Sequence, residues 1–396
     1  MRRRRVCVVS TSRADFGGLR RLLHEIHEDD ELELQLVVMG DHWAGDPARR
    51  SAGLTDDGLP VALALATTPR DDQPASIGEA CGEALARFSA ALPGLAPDVM
   101  VLLGDRFELM APALAALVHN VPIAHLHGGE LSLGAIDDSI RHALTKLARL
   151  HFVATREYAD RVRQMGEPAD SVFCVGAPAL DGITTGALPA VDELERAIGL
   201  SFAEPVLLVT VHPVTREPGT AGTLVGAVLD AVARSGLRAV FTRANADAAG
   251  MAVNAAVEAF VAGSPSRYRC FDHLGQRLYF GCLRHCAAMV GNSSSGLVEA
   301  PSFRLPAVNV GHRQDGRVRA ASVIDTAAEP ALILAALARA LDPSFRASLG
   351  TMTNPYDPHG DGQASRRIVR ELKAALSAGL ASRKRFADTP PLEISS

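Results

Sequence analysis

No stretch of this 396-residue chain approaches the ~18 consecutive apolar residues of a membrane-spanning helix. The start has the charge of a secretory leader, but its apolar run, Val6-Cys7-Val8-Val9, stops at Ser10. That is short of the roughly 7–15 residues of a leader's hydrophobic segment, so it reads as a first strand. An excess of one charge is also missing. With 40 basic against 45 acidic residues and a net charge of −5, no strong field favours nucleic acid or a membrane surface, and anionic ligands must be held by local groups. Cysteines are few: Cys7, Cys81, Cys174, Cys270, Cys282 and Cys286 lie mostly in apolar patterns, as buried reduced thiols of a cytoplasmic protein do. Cys282 and Cys286 are one helical turn apart, with no second Cys/His pair to complete a zinc site. There is no G-x-G-x-x-G after the first strand, no G-x-x-x-x-G-K-[ST] and no G-x-S-x-G. Nicotinamide-cofactor binding, Walker-type nucleotide binding and a hydrolase nucleophile elbow are therefore unsupported. The expectation is a soluble cytoplasmic protein with no cofactor, no metal and no nucleic-acid or membrane partner, assembled as a homo-oligomer (dimer or tetramer).

What is present is alternation. At 47% hydrophobic, the chain is too long for one ordinary core and suits two domains. Short apolar runs alternate with amphipathic ones, the pattern of a mostly parallel sheet with helices on both faces. Strands are expected at 6–10, 34–39, 99–103, 122–126, 150–154 and 172–175, with helices at 17–27, 76–92, 107–119, 137–147 and 156–165. The series restarts with strands at 206–211, 239–242, 268–271, 288–291 and 307–310 and helices near 221–232, 251–261, 275–286 and 295–302. The fold class is α/β, two Rossmann-like doubly wound domains facing a central cleft. Residues 1–185 form the first domain and 186–363 the second. A helix at 364–380 packs back toward the first domain, and 381–396 is expected as a flexible tail.

Chemistry-bearing residues gather where strands end. Gly128-Gly129-Glu130 through Asp137-Asp138-Ser139-Ile140-Arg141-His142 follows one strand, and Gly104-Asp105-Arg106-Phe107-Glu108 follows the strand before it. Ligands of open α/β sheets bind outside the carboxyl ends of strands, so these acid groups are expected to face one pocket. In the second domain Asn292-Ser293-Ser294-Ser295 leads from strand to helix, where free backbone N–H groups could hold a phosphate; a plain serine cap fits equally. Glu299, one turn on, could accept from ribose hydroxyls. His212, before a proline, Arg313 and Arg13 also follow strands and suit phosphate. His125-x-His127 puts both imidazoles on one strand face, but a metal site would need Glu130 to bend back through two glycines.

These motifs, with Thr11-Ser12-Arg13-Ala14-Asp15-Phe16, His212-Pro213-Val214-Thr215, Gly291-Asn292-Ser293-Ser294-Ser295-Gly296 and Gly311-His312-Arg313-Gln314, resemble in order those of the hydrolysing UDP-N-acetylglucosamine 2-epimerases. That family includes the bacterial enzymes of sialic acid synthesis, and the resemblance runs from about Val6 to Ile368. It implies a glycosyltransferase-B-like fold with UDP held mainly by the second lobe. By the same resemblance Asp105, Glu130 and Asp137 are the acid/base carboxylates and His212 helps the diphosphate leave. Arg13, Ser293, Ser294, Glu299 and Arg313 would hold UDP, with Asn245 and His273 also facing the nucleotide, and His42 and Asp138 would meet the sugar.

The implied reaction suits these residue types. UDP departs from C1 as the C2 proton is removed, giving a glycal; water then adds, releasing N-acetylmannosamine. A C2 proton beside no carbonyl is barely acidic, so the C1–O bond must be largely broken first. Carboxylates would stabilise the cationic ring, and His212, Arg13 and the serine turn the departing diphosphate. Crowded carboxylates would also raise one pKa, separating acid from base. The rivals are a non-hydrolysing 2-epimerase or a glycosyltransferase on the same fold, and a catalytically silent UDP-sugar-binding protein. Two segments depart from the family pattern: Arg243-Ala244-Asn245-Ala246-Asp247, where many relatives have Tyr-Pro-Asn-Ala-Asp, and Asp41-His42-Trp43-Ala44-Gly45-Asp46-Pro47. Both bear on which sugar is used, and a UDP-linked 2,4-diacetamido trideoxy sugar stays open.

Overall fold

Val- and Leu-rich runs with no polar alternation suit strands covered on both faces, and parallel sheets supply that setting. The computed structural model describes residues 2–43, 57–71, 73–133, 136–183, 186, 188–213, 221–244, 248–380 and 384–388, with only the backbone of Arg13, Ala14, Asp41, Ala248 and Ala249. The chain forms two units. One takes in Met1–Glu130, Ile136–Asp181 and Tyr356–Ser396, the other Leu131–Ala135 and Gly182–Pro355.

In the first unit β1 (Arg4–Ser10), α1 (Arg13–His27), β2 (Leu32–Met39), β3 (Val61–Leu65), α2 (Pro74–Leu95), β4 (Val99–Leu103), α3 (Met110–Val118), β5 (Ile123–Leu126), α4 (Asp137–Leu147), β6 (Leu150–Val153), α5 (Arg156–Gln164) and β7 (Val172–Cys174) build one sheet and its helices. The seven strands are parallel, in the order β3-β2-β1-β4-β5-β6-β7. Alternate residues of β1 feed opposite layers. Val6 and Val8 pack with Leu19, Leu22, Leu23 and Ile26 of α1, while Cys7 and Val9 pack with Phe88 and Leu92 of α2. Each of those fully buried α1 side chains contributes about 1.5–3 kcal/mol of apolar burial.

The second unit runs through α6 (Val191–Ile198), β8 (Val206–Thr210), α7 (Ala221–Ser235), β9 (Arg238–Thr242), α8 (Ala248–Ala262), β10 (Tyr268–Phe271), α9 (Gly275–His285), β11 (Ala288–Gly291), α10 (Ser295–Val298), β12 (Ala307–Val310), β13 (Val323–Thr326), α11 (Pro330–Leu341) and α12 (Pro343–Ser348). Its six strands are ordered β10-β9-β8-β11-β12-β13, again parallel. Leu207 and Val209 pack with α7 and α11, and Val206 and Leu208 with Leu194, Cys282 and Cys286. Strand order therefore reverses beside β1/β4 in one sheet and β8/β11 in the other, the switch points where open α/β sheets bind ligands. Sequence reading overlooked β3 and β13. Both are edge strands with several partly or fully exposed positions, so their apolar signal is weak.

Set against the expected border at 185/186, the first unit ends at Asp181 and resumes at Tyr356. The join is well bonded. Asp181 accepts from the amides of Ala364 (2.8 Å) and Ser365 (2.6 Å), the first residues of α13 (Ala364–Ala378), and burial raises its carboxyl to about 6 against those bonds. Tyr356 is fully buried, its hydroxyl 2.8 Å from that of Tyr158. Of the region expected as a flexible tail, 384–388 is bonded to the first unit at two points. Lys384 forms an ion pair at 2.7 Å with the buried Glu167 and donates to the Lys146 carbonyl at 2.6 Å, and the Ala387 amide bonds the Gly166 carbonyl at 2.9 Å.

Candidate active site

β1 hands the chain through Thr11 and Ser12 into α1, where Ser12 Oγ accepts from the Asp15 amide at 3.1 Å and caps the helix. The Thr11 hydroxyl donates to Asp15 at 2.6 Å. Burial nonetheless raises the Asp15 carboxyl, opposed by that bond and by the Arg106 charge. His42 is buried with Nδ1 2.8 Å from Ser10 Oγ and its ring 5.2 Å from that of Phe16.

β4 delivers Asp105, to which Arg141 of α4 donates from a side chain only 2% exposed. Arg106 donates to the buried Glu108 at 2.6 Å. Asp137 opens α4. Its carboxyl is raised by burial first and by the Asp105 charge second, with Arg141 and Arg106 pulling the other way. Two carboxylates and two guanidiniums thus influence one another at this strand exit. The carboxylates' settings differ: one is ion-paired, the other half-buried beside a like charge.

β5 carries His125, fully buried, with Nε2–H donating to the Gly104 carbonyl at 2.8 Å and Nδ1 3.2 Å from Thr145 Oγ1. Burial pushes this imidazole down to about 3, so it is neutral at ordinary pH. The strand then stops at Leu126, and His127 takes the left-handed conformation at φ 64°. Gly129 follows at φ 79°, where a Cβ would run into the Tyr158 carbonyl, so the turn requires glycine there. Arg161 donates to the Gly129 carbonyl. The turn brings Glu130, 3% exposed, back onto His127, whose Nδ1 lies 2.5 Å from Glu130 Oε1. The expected sharing of one strand face by the two histidines is therefore corrected. One ring is bonded within the unit's interior and the other leaves the strand to meet the acid. Among the described residues, no group of three His, Cys, Asp or Glu side chains could hold a metal ion, and no helix is long and apolar enough to cross a membrane.

In the second unit Asn292 joins three chain segments. Its side chain accepts from the His212 amide at 2.7 Å and donates to the His212 carbonyl at 2.8 Å. Its own carbonyl accepts from Arg313 (3.2 Å) and Gln314 (2.8 Å). Gly291, at φ 133°, lies so close to the Thr210 carbonyl that no Cβ fits, and this lets β11 and β8 end side by side. Burial, and then the Arg313 charge, lower the His212 imidazole below the usual histidine value. The expected helix at 295–302 is shorter: α10 has four residues, followed by a 3₁₀ turn, Ala300–Phe303, containing Pro301, which has no amide hydrogen to donate. Ser293 Oγ accepts from the Ser295 amide at 3.3 Å, and the Tyr279 hydroxyl donates to Ser295 Oγ at 2.7 Å. Burial, and next the Glu299 charge, push the Tyr279 phenol well up.

The structure thus associates Asp105 with Asp137, puts Glu130 on the neighbouring strand exit, and ties His212 to Arg313 through Asn292. Ser293, Ser294 and Glu299 lie along the same β11 exit. Asp138 turns to His142, 3.5 Å away on its own helix. His273 is not drawn in: it is exposed in the turn after edge strand β10, and makes no hydrogen bond or ion pair with the described residues. The Arg13 side chain and Asn245 lie outside the described residues. Sequence reading quoted but gave no role to Arg141, Asn292 and Gln314, and weighed His127 only as a metal ligand. Arg141 had a signal, since it sits four residues after Asp137 and so on the same helix face.

Two parallel sheets of Rossmann strand order, each with its polar groups at the switch point, make this a glycosyltransferase-B-like α/β protein. The chain belongs to the UDP-N-acetylglucosamine 2-epimerase family, whose model matches residues 24–373. A relative from Campylobacter jejuni, named GDP/UDP-N,N'-diacetylbacillosamine 2-epimerase (hydrolyzing), is 35% identical over 335 residues, 82% of this chain and 85% of that protein. The UDP-N,N'-diacetylbacillosamine 2-epimerase (hydrolyzing) of Legionella pneumophila is 33% identical over 371 residues, 93% and 96% of the two chains. Among solved structures, the UDP-GlcNAc 2-epimerase of Neisseria meningitidis bound to UDP-GlcNAc superposes with a TM-score of 0.80 at 17% identity, covering 93% of this chain and 100% of that one.

Proposed function

We propose that this protein is a hydrolysing 2-epimerase of a UDP-linked 2-acetamido sugar, releasing UDP and the free C2-inverted sugar. The observation that carries the reading is the unequal pair Asp105 and Asp137. One is ion-paired to Arg141, and the other is raised by burial and by its neighbour's charge. Elimination and hydration at one carbon need a group that takes a proton and a group that returns one, and carboxylates in differing environments supply both. In this reading the first unit supplies Asp105, Asp137 and Glu130 for proton transfer at C2. The second unit holds UDP through Ser293, Ser294, Glu299 and Arg313, with His212 at the diphosphate.

C1–O cleavage sends an electron pair to UDP, and a carboxylate takes the C2 proton to leave a glycal. Water then adds hydroxyl at C1 while a carboxylic acid delivers a proton to C2 from the face that inverts it. The Arg313 guanidinium and the single ring N–H of the neutral His212 imidazole stabilise charge on the departing phosphate. The hydrolysing relatives at 35% and 33% identity are named for N,N'-diacetylbacillosamine, which favours the 2,4-diacetamido trideoxy sugar as substrate over UDP-N-acetylglucosamine.

The test is incubation with each UDP-sugar in deuterated water. UDP release with deuterium at C2 of a free 2-epimer supports the reading, and the faster substrate identifies the sugar. A reversible mixture of UDP-sugars would instead indicate a non-hydrolysing epimerase. UDP with an unepimerised sugar would indicate a simple hydrolase, and no turnover at all a binding protein.

A further inference from the structure

The turn after β5 is built at some conformational cost, and the purpose of that cost is visible in what it brings together. His127 is a non-glycine residue in the left-handed region, at φ 64°, its amide donating to the Phe152 carbonyl at 3.0 Å. Such a conformation persists only where the surroundings over-determine it, and it concentrates at functional positions. Here Gly129 is pressed against the Tyr158 carbonyl and Arg161 holds the Gly129 carbonyl. The result is a contact between His127 Nδ1 and Glu130 Oε1 at 2.5 Å, with Glu130 only 3% exposed and the His127 side chain 20% exposed. A carboxylate only accepts, so the proton of this bond sits on Nδ1.

We infer that His127 is a positioning residue for Glu130. Its Nδ1–H fixes the carboxylate's direction and supports negative charge on it through each proton transfer, so the acid meets C2 in one orientation. This deepens the epimerase reading and rests on it for its kinetic consequence, although the His127–Glu130 bond stands without it. It also gives the Gly-Gly pair a mechanical purpose: a reversal tight enough to let residue 127 bond residue 130.

The experiment uses the full chain and four variants. In His127→Phe the donor is lost at similar volume; in His127→Asn a donor is kept on a residue that tolerates the left-handed region. The expectation is a kcat loss of about 100-fold or more for Phe and roughly 10-fold or less for Asn, with KM and the UDP dissociation constant within about 2-fold in both. Imidazole added to His127→Gly should restore part of kcat. Equal losses in Phe and Asn, an unchanged kcat in Phe, or a KM that rises in step with the kcat loss would overturn the proposal. A second readout is independent of turnover. NMR of the wild-type chain should show a downfield, slowly exchanging His127 Nδ1 proton that disappears in Glu130→Gln, and a freely exchanging proton there would sink the dyad. Should the wild type turn over no UDP-sugar while that proton is present, the epimerase reading fails and the His127–Glu130 bond survives.

Discussion

The two sheets share one central strand order, yet the strand exits at and beside their switch points are furnished in opposite ways. At the exits of β4 and β5 stand Asp105, Asp137 and Glu130, partnered by Arg141 and His127. At the exits of β8 and β12 stand His212 and Arg313, joined by the neutral side chain and carbonyl of Asn292, with the serine hydroxyls beside them at the exit of β11. In the proposed reading the first set moves protons at carbon and the second offers donors to an anion. One fold thus provides two tools, and what distinguishes them is the residue type at equivalent strand ends, as the separation of fold from function requires.

That contrast can be broken by separating turnover from nucleotide affinity. The largest expected effect is Glu130→Gln, which should lower kcat by about 10³ or more while UDP affinity, read by titration calorimetry, stays within a few-fold. A large loss of UDP binding would move Glu130 into the nucleotide site. Next, Arg313→Met should weaken UDP by about 10- to 100-fold, the worth of a charge-assisted hydrogen bond, with a smaller effect on kcat at saturation. Should both variants lose turnover and affinity together, the division of labour between the sheets is wrong.

The pH dependence of stability sharpens the comparison further. His125 titrates at about 3 in the folded protein because it is buried. The unfolded chain, with histidine near 6.5, therefore binds the extra proton first as pH falls. Stability is full above about pH 6.5 and declines below it, by about 2 kcal/mol between pH 7 and pH 5 from this residue. Glu167 works in a lower window. Burial favours its neutral form, but His151, Lys146 and Lys384 outweigh that and hold it to about 2, so its contribution is lost only as pH falls below the ordinary carboxylate value. Urea unfolding at pH 7 and pH 5 should show the slope, and His125→Gln should flatten it; an unchanged slope would mean the ring is not held neutral. The smallest effect is expected from Lys384→Met. Glu167 keeps Lys146 and His151, so thermal unfolding should register only about 1 kcal/mol.

Much of this was readable in advance because it rests on local pattern. Val- and Leu-rich runs gave the central strands, and a polar residue directly after such a run must sit at a strand exit. Asp105 and His212 were placed at strand exits that way, while the roles expected of them and of Glu130 came from the family resemblance. What escaped was whatever depends on a partner distant in sequence or on backbone geometry. The edge strands β3 and β13 lack the two-sided burial that writes a continuous apolar run. The 295–302 helix was overextended because its break at Val298 is a local backbone outcome that hydrophobic periodicity does not report. His125 and His127 looked like a matched pair because alternation was assumed to continue one residue past the point where the strand ends.

Sequence alone determined the α/β class, the succession of the central strands, and the chemical character of their exits, since these follow from apolar periodicity and residue type. The tertiary structure decided which of those groups act on one another. Arg141 reaches Asp105 from 36 positions away, and Asn292 bonds His212 across 80. Such pairings depend on strand order and backbone reversal, and neither is written in the spacing of residues along the chain.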